Sequence, residues 1–254
     1  RASVQVKSFV GLIMSVTIET DVTLTLDNCV LGGKVEGFAS QFSSSEFFYS
    51  GLIGYMDGNT NINVTITNSV NNANVTAKLD EKWTFTGGII GLMTNCKNLI
   101  LTIENCTNNG FFDIRSQIAI HGGCIGTFEN MKEAFVTVSN FVNNGGVSAA
   151  VSSGMSNVIV GGVVGNMANC KETEINFTIS GSINNGDMKT TAQSDSSTVS
   201  GGIIGLIQLV PLNLRLEKNI NNGNAVHSLG GSMASAGGIV GFFLSQDDGS
   251  VLID

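Results

Sequence analysis

Gly87-Gly88-Ile89-Ile90-Gly91 recurs letter for letter at Gly201-Gly202-Ile203-Ile204-Gly205, with near-copies starting at Gly122, Gly161 and Gly237. A shorter form stands at Gly51-Leu52-Ile53-Gly54. The block-final glycines Gly54, Gly91, Gly126, Gly165, Gly205 and Gly241 are separated by 37, 35, 39, 40 and 36 residues. A second marker follows each block: Asn71-Asn72-Ala73, Asn108-Asn109-Gly110, Asn143-Asn144-Gly145, Asn184-Asn185-Gly186 and Asn221-Asn222-Gly223. The step from block to marker is 19, 19, 19, 21 and 18 residues. The first unit is degenerate, with Gly11-Leu12-Ile13-Met14 as its block and Leu31-Gly32-Gly33 as its marker. Two markers that recur together and in order define an internal repeat.

Between the markers lies an alternating segment. Leu24 and Leu26, Val64 and Ile66, Leu101 and Ile103, Val136 and Val138, Phe177 and Ile179, and Leu214 and Leu216 fall at matching offsets, with mostly polar residues between them. Period two with β-branched residues predicts a strand with one buried face. The variable stretch after each marker, such as Ser116 to His121 or Ser156 to Val160, ends in a second alternating run. Each unit is therefore expected to hold about three short strands. One such unit cannot bury its apolar face alone, but a stack of them can. The expected fold is all-β: a parallel β-solenoid of six to seven coils of about 37 residues, right-handed by analogy, with residues 1–254 as a single repeat domain that starts and ends inside a repeat. Glycine lets backbone pass close to backbone. Asparagine tolerates left-handed corners, so equivalent Asn residues are expected to form ladders. A β-propeller is the competing architecture, but its blades carry recurrent aromatic signatures, and Trp83 is the single tryptophan.

Composition removes several function classes. The formal net charge is −8, with 12 Lys plus Arg, so the basic patch of a nucleic-acid binder is missing. No run of 18 or more apolar residues suggests a membrane-inserted helix. The glycine blocks lack the spacing of a dinucleotide fingerprint or a P-loop, and no cofactor is expected.

The blocks resemble the bacterial GLUG-type repeat, named for its Gly-Leu-(apolar)-Gly core. Gly51-Leu52-Ile53-Gly54 fits it closely, and Gly88 to Gly91, Gly123 to Gly126, Gly162 to Gly165, Gly202 to Gly205 and Gly238 to Gly241 fit it loosely. Met14 departs from the core glycine. The resemblance implies a secreted or cell-surface, adhesin-like protein and carries no catalytic residues.

Candidate sites were weighed against structural roles. Asp27, Glu104, Glu217 and Asp254 share an outward offset interrupted by Thr67, Ser139 and Ser180, which gives a scattered acidic wall and no catalytic pair. Asp247-Asp248, or Glu172 with Glu174, form no specific cation site, and no metal is expected. His121 and His227 occupy non-equivalent positions. Among the five cysteines, Cys96 with Cys170 and Cys29 with Cys106 each lie two coils apart. Free, packed thiols are therefore expected, with Cys96 to Cys106 the only pairing worth considering. Four glycosylation sequons begin at Asn63, Asn74, Asn105 and Asn176. Asn63 and Asn176 are preferred, whereas Asn105, in a corner ladder, should be poorly accessible.

Val4 and Val6 at one end, and Val251 and Ile253 at the other, read as strands awaiting neighbours. The leading expectation is a structural extracellular or cell-surface solenoid that polymerises head to tail with copies of itself through these residues. The second is a fragment of a surface adhesin that recognises cell-surface or matrix glycans through the segment Val35 to Ser50, with Phe38, Phe42, Phe47, Phe48 and Tyr49 as its contacts. A polysaccharide-acting enzyme ranks third.

Overall fold

A computed structural model describes residues 8–38, 46–151, 156–170, 175–192, 196–208, 212–228, 233–244 and 250–254. The chain is a parallel β-solenoid of about six turns with a repeat near 37 residues. Three sheets run along its axis.

The first sheet has seven strands, one after each glycine block: Ile13–Thr17, Ile53–Asp57, Ile90–Thr94, Ile125–Glu129, Val164–Ala168, Ile204–Gln208 and Val240–Leu244. The second also has seven, and they are the alternating segments: Thr23–Asp27, Thr60–Thr67, Lys97–Glu104, Lys132–Ser139, Ile175–Ser180, Leu212–Glu217 and Ser250–Ile253. Register follows the repeat, so Leu24 pairs with Val64, Val64 with Leu101, Leu101 with Val136, Val136 with Phe177, and Phe177 with Leu214. The third sheet collects everything after the Asn marker. It bends within long strands such as Phe112–Gly122, whose register shifts between Ser116 and Ile118.

That bend is the main departure from the three-strand expectation. A coil such as the fourth holds five strand segments: Ile125–Glu129, Lys132–Ser139, Val142–Asn143, Val147–Val151 and Asn157–Gly161. The arm after the marker runs out and returns, so the interior divides into two chambers. One is packed between the first two sheets around residues such as Met56, Leu101, Phe128 and Phe177. The other lies inside the arm, around Phe47, Leu79, Phe112 and Val158.

The two sequence markers meet at the waist between the chambers. A Cβ on Gly88 would lie 1.9 Å from the Gly123 carbonyl oxygen and 2.6 Å from Asn108 Cγ. At Gly123 the corresponding distances are 2.1 Å to the Gly162 carbonyl oxygen and 2.6 Å to Asn143 Cγ. Glycine is required here because the next coil's backbone and the Asn side chain occupy the space of a side chain.

The Asn ladders exist and are double. Asn71 Nδ2 donates to Asn108 Oδ1, Asn108 to Asn143, Asn143 to Asn184, and Asn184 to Asn221, each at 2.8 Å. This inner ladder is largely buried, and its Oδ1 atoms on Asn71, Asn108 and Asn184 also accept the N–H two residues on. The exposed outer ladder runs the opposite way, from Asn222 through Asn185, Asn144 and Asn109 to Asn72. Another corner stacks left-handed residues at Asn28, Asn68, Asn105, Asn140, Gly181 and Lys218, with φ between 51° and 58°. Asn105 thus belongs to a corner ladder, accepting from Asn140 Nδ2. It is nevertheless exposed, contrary to the expectation, because a left-handed corner residue turns its side chain outward.

Candidate functional site

Each glycine block is also a sharp corner between two strands, and outside that corner the two sheets enclose a groove. In the second coil the strands are Glu46–Ser50 and Ile53–Asp57. Rings cross the corner, with the Phe48 and Tyr55 centroids 4.7 Å apart and Phe48 stacked on Phe85 at 5.4 Å. The groove has a volume of about 540 Å³. A further hollow of about 250 Å³ shares Asn157, Ile159 and Gln208 with it and reaches Met233 and Leu244.

The register orders the groove in columns. One wall carries Glu46, Trp83, Ile118, Asn157 and Ser197 in successive coils. The facing wall carries Asp57, Thr94, Glu129, Ala168 and Gln208. The floor is made of Phe85, Ile120 and Ile159 on one side and Tyr55, Leu92 and Asn166 on the other, and Leu206 continues the second column into the adjoining hollow. Glu46 and Asp57 therefore face each other in one coil, and Glu129 stands on the Asp57 wall two coils further on, about 9.6 Å along the backbone.

Electrostatics differ along the wall. Tyr55 donates to Asp57 Oδ2 at 2.7 Å and Asn95 Nδ2 donates to Asp57 Oδ1 at 2.9 Å. The Tyr55 hydroxyl is pushed well above its usual range by burial first and the Asp57 carboxylate second. The Glu129 carboxyl is raised by burial and then by the charge of Glu46, partly offset by a hydrogen bond from Thr94. Among the described residues lining the groove none is Lys or Arg. In the floor, Asn166 is 6% exposed and its Oδ1 has no partner, as is also true of the neighbouring buried Thr127 Oγ1. Of these atoms among the described residues, which also include Thr84 Oγ1, only that of Asn166 belongs to a residue lining the groove.

Other expected sites fall as follows. Phe47, Phe48 and Tyr49 are buried, so they do not form an exposed adhesive loop: Phe47 and Tyr49 pack in the arm, and Phe48 packs against Tyr55 and Phe85. Phe42 and the side chain of Phe38 lie outside the described residues, as do Val4, Val6, Glu172, Glu174, Asp247 and Asp248. Among the described residues no group of three or more His, Cys, Asp or Glu is placed to hold a metal ion. His121 is buried against Phe112 and bonded to Thr86 Oγ1, and His227 meets Thr190, Thr198 and Ser200. All five cysteines are free, four of them buried. Asn63 and Asn74 are exposed, and Asn176 is half-buried.

The sequence reading missed the groove because it followed the alternating second sheet. The signal lay in the first sheet, where Tyr55-Met56, Leu92-Met93, Leu206-Ile207 and Phe242-Phe243 place large apolar residues at successive positions. A strand apolar on both faces is covered on both faces. Fold and groove together define a parallel β-solenoid with a lateral cleft. A scan against protein-family models and searches of curated proteins and solved structures give no match to this chain.

Proposed function

We propose that the chain is a structural, non-enzymatic solenoid of the extracellular space or cell surface that assembles end to end. The observation that carries this reading is the exposure of core columns in the last coil. Val64, Leu101, Val136, Phe177 and Leu214 are buried, while Val251 in the same column is 42% exposed. Ile253, above the buried Leu216, is 56% exposed, and Phe243, above the buried Ile207, is 46% exposed. These side chains form an apolar end surface beside strand edges that offer backbone hydrogen bonds. Covering each by a further coil would contribute about 2 kcal/mol at full burial. A second copy can supply such a coil with the same repeat and register, giving a head-to-tail filament, as can a further repeat of the same polypeptide.

The resemblance of the glycine blocks to GLUG-type repeats supports a secreted or surface location, and the exposed sequons at Asn63 and Asn74 are compatible with it. Sedimentation and electron microscopy across concentrations test the assembly. Filaments or rods that lengthen with concentration, and that are lost in Val251→Asp with Ile253→Asp, are expected. A monodisperse monomer at the highest concentrations would sink the proposal. The second reading, an adhesin, is favoured by the lateral groove, which end-to-end stacking leaves open.

A further inference from the structure

We propose that the lateral groove binds a neutral polysaccharide chain laid along the solenoid axis, with Trp83 as its stacking platform and Asn166 as a hydrogen-bonding contact in its floor. This site is separate from the end surfaces and does not depend on assembly.

Shape is the first argument. The columns repeat about every 4.8 Å, so the groove runs along the axis and presents side chains at regular steps to an extended ligand, with a different group at each step. Trp83 is 43% exposed on one wall, with Phe85 below it. An exposed flat ring over an apolar floor suits the carbon-bearing face of a pyranose, whose opposite edges carry hydroxyls.

Hydrogen-bonding chemistry narrows the ligand further. Asn166 Oδ1 is buried in the floor without a partner. Leaving such an acceptor unpaired is costly, and a ligand hydroxyl that donates to it once the amide turns toward the groove recovers that cost. The walls add amides at Asn157 and Gln208 and carboxylates at Asp57 and Glu129. Amides both donate and accept, which matches hydroxyl groups. With no Lys or Arg among the described lining residues, an anionic polysaccharide would meet carboxylates. A cationic peptide is the alternative that could use the carboxylates, and the oligolysine comparator below tests it.

Trp83 is the only tryptophan, so its fluorescence reports occupancy directly. The full chain is titrated with soluble oligosaccharides of glucose, mannose, galactose and N-acetylglucosamine, and with oligolysine and a sulfated oligosaccharide as charged comparators. A saturable change with at least one neutral oligosaccharide is expected, with none for the charged probes. In calorimetry, Trp83→Ala and Asn166→Leu should each weaken that binding by about tenfold or more, while circular dichroism and melting show the solenoid intact. Silence across all four neutral sugars, saturation by oligolysine alone, or unchanged affinity in Asn166→Leu would each overturn the proposal. Sedimentation of the same variants separates this result from assembly, since neither substitution touches the ends.

Discussion

Asn143 and Asn166 are the same residue type, both buried, both set in a column that repeats coil by coil, yet their surroundings are opposite. Asn143 accepts from Asn108 and donates to Asn184, each at 2.8 Å. Asn166 stands between Thr127 and Leu206 with its Oδ1 unpartnered. A ladder of amides satisfies itself, because each Asn supplies what its neighbour lacks. A lone Asn in an apolar column cannot do this, and the fold carries its cost. The first arrangement builds the solenoid, and the second is what a binding surface looks like before its ligand arrives.

Five substitutions or conditions probe that contrast, beginning with the largest effect. Gly123→Ala drives a Cβ into the Gly162 carbonyl and the Asn143 side chain. It should cost more than about 4 kcal/mol, the range of severe core overpacking, seen as loss of the cooperative melt. Next comes pH, through a buried polar group that is hydrogen-bonded but cannot hold charge. His121 has its pKa lowered to about 3 by burial, from an ordinary 6.5. The unfolded chain therefore takes up this proton first as pH falls. The stability it contributes is intact above pH 6.5 and is lost progressively towards pH 3, by roughly 5 kcal/mol in all. His121→Val, which copies Val160 of the next coil, should flatten that part of the acid limb in denaturant titrations.

Asn143→Leu should destabilise by about 3 kcal/mol, since it strands the Asn108 donor and removes a partner of Asn184. Asn166→Leu should have the opposite sign. It matches Leu92 and Leu206 in its own column and removes an unpaired oxygen, so a gain of up to about 1 kcal/mol is expected. Thr127→Val should behave likewise. If Asn166→Leu destabilises as much as Asn143→Leu, the distinction between ladder and groove collapses.

Much of the solenoid was legible in the primary structure because repetition converts sequence into register. The markers fixed which residues stack, and Leu101, Val136 and Phe177 lie on one another as their offsets require. The groove was harder to see. Glu46, Asp57 and Glu129 belong to three different repeats or strands, and Phe48 looked like part of an exposed loop until its strand was placed beside Ile53–Asp57. Asn105 shows the same limit at a single residue, since its place in a ladder was readable but the outward direction of a left-handed corner was not.

By itself, then, the sequence determined the period, the parallel stacking and the Asn ladders. All of these are local patterns copied once per coil, and copying makes neighbours of equivalent residues. Only the tertiary structure decided that the arm folds back at a glycine and asparagine waist, that two chambers replace one, and that the corner beside each block opens a cleft. Those features depend on the angle at which consecutive strands meet. That angle is set by how closely Gly88 and Gly123 let the backbone approach Asn108 and Asn143 across the coil, a contact between distant positions that no offset along the chain records.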